Sequence, residues 1–111
     1  MIQVDIVREP SGRISSFTMD GHAEFAEHGK DLVCAGATAV SFGTLNAILS
    51  LTEARIGIEQ EEEGGFLRCY VPEDLPEGID EKVQLLLEGM VISLQTIERE
   101  YSKYISINFH S

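Results

Sequence analysis

Basic residues are scarce in this chain: 8 Lys and Arg stand against 19 Asp and Glu among 111 residues, for a formal net charge of −11. So acidic a surface is a poor nonspecific ligand for nucleic acid, because neutralising phosphates takes a surplus of Lys and Arg. It attracts basic partners instead. Cysteine is also rare. Cys34 and Cys69 are too few for a disulfide scaffold and read as free thiols in an intracellular-looking chain. Residues 1–9 lack the basic-then-apolar layout of a secretory signal, so export is not expected. The glycines form neither a P-loop nor a GxGxxG pattern, which argues against phosphate binding. There is no internal linker, and no short repeat that would make a solenoid. The one biased tract, the acidic run at 59–63, reads as a solvated turn, with attraction of a basic protein tail as its functional alternative.

Charge is missing altogether from residues 32–52, a stretch long enough to span a bilayer at about 20 residues. Thr38, Ser41, Thr44, Asn46 and Ser50 interrupt it, Asp31 and Glu53 flank it, and no Lys or Arg stands immediately beside either end. A buried helix of a soluble domain is the expectation, with no membrane partner.

What remains is ordinary globular composition, 43% hydrophobic and 24% charged, in a length that suits one domain over 1–111. Ile2, Val4 and Ile6 alternate with Gln3, Asp5 and Val7 and predict a strand. Pro10-Ser11-Gly12 predicts a turn into a second strand over about 13–19. Residues 20–30 are polar, with Gly21 and Gly29 as loop ends. Residues 31–51 read as a helix with two apolar faces, Ala37, Val40, Ala47 and Leu51 on one and Phe42, Leu45 and Leu49 on the other. A helix of that kind should be covered on most sides. Runs at 55–62 and 66–71, split by Gly64-Gly65, predict a second hairpin. Val83, Leu86, Leu87, Met90, Leu94, Ile97 and Tyr101 recur at steps of one, three and four and predict an amphipathic helix over 79–102. Ile105, Ile107 and Phe109 close the chain as a strand. The order ββαββαβ fits an α+β fold: a mainly antiparallel sheet of about five strands with two helices packed on one face.

The stretch with chemical content is Gly21-His22-Ala23-Glu24-Phe25-Ala26-Glu27-His28-Gly29-Lys30-Asp31-Leu32-Val33-Cys34-Ala35-Gly36. A histidine sits in a Gly-bounded loop, and a cysteine falls in the first turn of the following helix. Unpaired N–H groups and the positive dipole end at a helix N-terminus favour thiolate over thiol. A nearby imidazole can serve as general base or as the imidazolium partner, and the same amides can donate to an oxyanion. His, Cys and free amides are the minimal kit for acyl transfer.

Each of these residues also has a plainer role open to it. A lone cysteine is more often a small buried hydrophobe, His22 can be a loop residue, and His28 is more readily solvated than functional. Asp31 can cap the helix or orient His22 as the third member of a triad does. Thr38, one turn past Cys34, can bond near the thiol or to its own helix backbone. Cys69 is placed mid-strand in the core. A zinc site from His22, His28, Cys34 and Cys69 is disfavoured, because no tight CxxC or HxxxH pair is present.

At Gly21-His22-Ala23, followed by Gly29-Lys30-Asp31-Leu32-Val33-Cys34-Ala35, the chain resembles the ribosomal-processing cysteine proteases of bacteria, the Prp family. The resemblance runs over essentially the whole chain and includes Glu88-Gly89-Met90. It implies a cytoplasmic homodimer, without metal or cofactor, that removes an N-terminal extension from a large-subunit ribosomal protein precursor, the twenty-seventh of its series. Cleavage would follow a pair of phenylalanines. By the family's motif His22 is the general acid/base, Cys34 the nucleophile and Asp31 a supporting position, with Gly21 opening a loop that orders over substrate. Thr38 departs from the family's usual serine; the hydroxyl is kept, and the added methyl narrows the pocket. Gly36 and Ala37 replace a usual Ala-Val. The rival expectation is a non-catalytic binding or assembly factor docked on a basic ribosomal protein. A thiol redox protein is disfavoured by the lack of a nearby resolving cysteine.

Overall fold

Seven elements follow one another in the predicted order: β1 (Ile2–Arg8), β2 (Ile14–Asp20), α1 (Lys30–Leu51), β3 (Gly57–Gln60), β4 (Phe66–Tyr70), α2 (Glu77–Glu100) and β5 (Ile105–His110). This computed structural model describes residues 1–21, 30–61 and 65–111. The alternation in β1 does what period-two patterning requires: Ile2, Val4 and Ile6 are buried on one face of the sheet. Opposite them in the antiparallel register stand Phe17, against Ile6, and Met19, against Val4. The Pro10-Ser11-Gly12 turn closes this hairpin with the Gly12 amide donating to the Glu9 carbonyl at 2.8 Å.

The strands form one sheet in the order β3-β4-β2-β1-β5. Three of its pairings are antiparallel, but β5 lies parallel to β1, so the sheet is mixed. A strand arriving through α2 enters from the opposite end to a hairpin strand, which makes this pairing parallel. β3 is shorter than the predicted run and its residues are all exposed, as suits an edge strand carrying Glu59 and Gln60.

Both helices belong to one layer. α2 buries Val83, Leu87, Met90 and Leu94 of the predicted face together with Val91, while the predicted Leu86, Ile97 and Tyr101 are only partly buried against the core. α1 corrects an expectation. Instead of being covered on most sides it buries one stripe, Val33, Ala37, Ser41, Leu45 and Ile48, while Leu32, Leu49 and Leu51 are 62%, 49% and 71% exposed. Among the described residues two helices lie on the sheet, and none of them places a further layer over the outer side of α1. The segment Leu32–Leu51 is long and apolar enough to cross a membrane by length and composition; here its inner stripe packs into the core with the sheet and α2.

Two side chains that the hydrophobic pattern does not single out fix the helix layer to the first hairpin. The Gln84 amide donates to the Ile14 carbonyl and accepts from the Ile14 amide, both at 2.8 Å. The Arg13 guanidinium meets Asp80 at 2.8 Å and donates to the Pro72 carbonyl at 2.6 Å. That hydrogen-bonded carboxylate holds the Arg13 pKa above its already high ordinary value.

Candidate active site

The N-terminal half of α1 lies across one end of the sheet. On α1, Cys34, Thr38 and Phe42 are spaced at i, i+4 and i+8, so the three side chains form one stripe along the helix. The stripe faces Ile2 of β1, Met19 of β2 and Leu67 of β4 across a cavity of about 230 Å³, with Gln60, Glu61 and Gly65 at its rim. Cys34 is half-buried, at the wall of an otherwise mostly apolar pocket. Cys34 is the fifth residue of α1, just past the first turn in which it was expected; helical Cα–Cβ bonds tilt toward the N-terminus, so its side chain leans back over that turn. The amides of that turn are the ones a helix leaves unpaired.

Gly21, the loop end that opens the His22 segment, is a glycine by necessity. It ends β2 with φ +140°, and its amide donates to the Gly65 carbonyl at 2.9 Å. A Cβ there would stand 2.5 Å from the Met1 carbonyl oxygen and 2.9 Å from Ile2 Cα. The backbones of β1, β2 and the β3–β4 turn therefore converge on it at the mouth of the pocket. His22 and His28 lie outside the described residues, and so does the side chain of Asp31.

Thr38 is exposed and lines the same pocket. Thr44 and Thr96, also helical, turn their hydroxyls onto the carbonyls of Val40 and Ile92 at 2.7 and 2.9 Å. Among the described residues Thr38 makes no such bond, either to the Cys34 thiol or to its own helix backbone.

Cys69 is core, as expected: it is fully buried on β4, paired across the ladder with Phe17. Burial pushes its thiol up to about 12. The sign of the consequence is fixed by linkage. Between about pH 9 and 12 the unfolded chain loses this proton while the folded chain keeps it, so folding stability falls as pH rises. Wild type should lose up to about 1.4 kcal/mol per pH unit through this window relative to Cys69→Val. Urea unfolding of both proteins at pH 8, 9.5 and 10.5 measures this; parallel curves would refute it. Among the described residues no group of three or more His, Cys, Asp or Glu is placed to hold a metal ion.

Sequence reasoning placed Cys34 and Thr38 together and assigned Phe42 to a core face. The signal for Phe42 was its spacing of two turns from the cysteine. Ile2, Met19 and Leu67 carry no comparable signal, because only the strand order brings those three strands together.

The family model described as "Cysteine protease Prp" matches residues 1–106. The ribosomal processing cysteine protease Prp of Bacillus subtilis (strain 168) is 48% identical over 107 residues, 96% of each chain. Among solved structures, an essential ribosomal processing protease Prp from S. aureus in complex with a substrate peptide superposes with a TM-score of 0.87 at 41% identity, covering 98% of this chain and 99% of that one. The same protease in complex with a covalently linked product peptide gives a TM-score of 0.86 at 42% identity, with the same coverage.

Proposed function

The chain belongs to the cysteine protease Prp family, and from that premise we propose that it removes the N-terminal extension of a large-subunit ribosomal protein, the twenty-seventh, in the cytoplasm and as a homodimer. The observation that carries the catalytic part is Cys34 at the start of α1, opening onto an apolar pocket. In the mechanism, the Cys34 thiolate attacks the scissile carbonyl, and first-turn amides of α1 receive the oxyanion. As the C–N bond breaks, His22 gives its proton to the leaving amine, and the acyl group stays on sulfur as a thioester. His22 then takes a proton from water, hydroxide adds to the thioester, and the thiolate departs with the acid product released. Asp31 supports His22. The net charge of −11 suits a basic ribosomal substrate, since opposite charge speeds encounter, and it disfavours direct nucleic-acid binding.

The test is a peptide carrying the extension, ending in Phe-Phe and continuing into the mature sequence, with products read by mass spectrometry. A single cut after the second Phe is expected. An intact peptide that nevertheless binds tightly would make the chain a ribosomal-protein binder.

Support for the homodimer comes from the outer face of the helix layer. Ala39, Gly43 and Ala47 of α1 and Leu85 and Gly89 of α2 line one groove, and Leu85 and Ile92 are 74% and 62% exposed. A Cβ at Gly43 or Gly89 would meet nothing within 4 Å. Each glycine costs its helix about 1 kcal/mol relative to alanine, with no close approach inside the chain to require it. A second copy packed against these small residues accounts for both. Wild type should sediment as a dimer and the Leu85→Glu/Ile92→Glu double variant as a folded monomer; a double variant that still dimerises would place the interface elsewhere.

A further inference from the structure

We propose that Phe42 sets the size of the substrate side chain that the pocket beside Cys34 accepts on the residue whose carbonyl Cys34 attacks. The inference rests on the protease reading and adds to it the determinant of selectivity. Cys34 and Phe42 are eight residues apart on one helix stripe, a rise of about 12 Å at 1.5 Å per residue. A long helical side chain covers the turn N-terminal to its own Cα, so the Phe42 ring closes the distal half of that span. What is left is the stretch between the nucleophile and the ring, with Thr38 along its helix side and Ile2, Met19 and Leu67 on the far side. The volume agrees. A cavity of about 150 Å³ lined by apolar side chains takes up benzene, so the 230 Å³ here holds one aromatic or long aliphatic side chain and little more.

The lining decides the chemistry of the occupant. Ile2, Met19 and Leu67 offer no charge to pair with an ionised side chain, and the Glu61 carboxylate at the rim opposes an acidic one. The side of the scissile bond follows from the covalent step. Once the thioester forms, the acyl residue stays attached to Cys34 while the amine product leaves. A pocket continuous with the sulfur therefore holds that residue through both halves of the reaction.

Phe42 is only half-buried, so replacing it leaves most of the core packing in place. The experiment compares wild type, Phe42→Ala and Phe42→Trp on a peptide set that varies the acyl-side residue among Ala, Val, Leu, Phe and Trp. A parallel set varies the leaving-side residue. Phe42→Trp should lower kcat/KM for Phe against Val by about tenfold or more, the range that one or two methylene-sized changes produce in an apolar pocket. Phe42→Ala should move the preference the other way, toward Trp. Leaving-side preferences should not change. Thermal melts confirm that both variants are folded. Unchanged acyl-side ratios in two folded variants, or a shift confined to the leaving side, would overturn the assignment. Failure of wild type to cut any peptide overturns the protease reading, and this inference with it.

Discussion

Cys34→Ala should leave the fold standing and the peptide uncut. Cys34 is half-buried at a pocket wall rather than in the core cluster, so the truncation costs no more than about 1 kcal/mol of stability. The rate behaves differently. Without the sulfur no acyl-enzyme forms, and kcat should fall on the order of 10⁴-fold or more. In the proposed mechanism His22→Ala falls comparably, because the leaving amine then departs without a proton donor. The two losses should not add: a nucleophile and its base act as one unit, so the double variant is no slower than the worse single one. Cleavage followed by mass spectrometry, beside thermal melts of all four proteins, provides the measurement. A Cys34→Ala protein cutting within tenfold of wild type would remove the cysteine from the mechanism. Selective alkylation gives an independent view, since Cys69 is fully buried with its thiol held near 12 and stays unlabelled in the folded chain.

Gly21→Ala should produce the largest change in stability of any single methyl added to the described residues. Two costs coincide there. The residue holds φ +140°, a conformation that costs a side-chain-bearing residue about 1–3 kcal/mol. The new Cβ also falls 2.5 Å from one backbone atom and 2.9 Å from another, so β1 or β2 must move. A loss of about 3 kcal/mol or more is expected, which lowers Tm by roughly 10 °C or more in a domain of this size. Gly12→Ala separates the two costs. Gly12 has φ +92° and open space around its Cβ position, so it pays for conformation alone. Gly21→Ala should also cut poorly at temperatures where it is still folded, because the shift occurs at the mouth of the pocket. A melt matching that of Gly12→Ala would show that the strand ends yield without cost.

The contrast between α1 and α2 shows what a sequence can convey. In α2 the buried residues Val83, Leu87, Met90 and Leu94 recur at steps of three and four, so their spacing identified the buried side even though Leu85 and Ile92 on the outer face are apolar too. In α1 no charge distinguishes any face, and the residues that pack inward, among them Ala37 and Ser41, are no more apolar than Leu49 or Leu51, which do not. Composition fixes how much of such a helix can be buried, and only the number of neighbouring layers fixes how much is. The strands behaved similarly. Alternation located β1 and β5 and turn signals the other three, yet nothing in Ile105, Ile107 or Phe109 says that their neighbour is β1 and that the pairing is parallel. For the site, local spacing united Cys34 with Thr38 on one helix stripe. The opposing wall comes from three strands scattered over the chain, and it was legible only through the sheet order.

That parallel pairing governs how the molecule comes into being. Ile2 pairs with Ile105 and Val7 with His110, so β1 gains its second neighbour from residues more than a hundred positions away. The β1–β2 hairpin forms from local contacts, but closing β5 against β1 must wait for nearly the whole chain and carries the slow kinetics of long-range pairing. During synthesis β1 remains an open edge until residues 105–110 have left the ribosome. Ile2, which walls the pocket beside Cys34, sits on that strand. A chain cut short before β5 is therefore left with β1 as an exposed edge, and Ile2 at the pocket beside Cys34 without its neighbour Ile105.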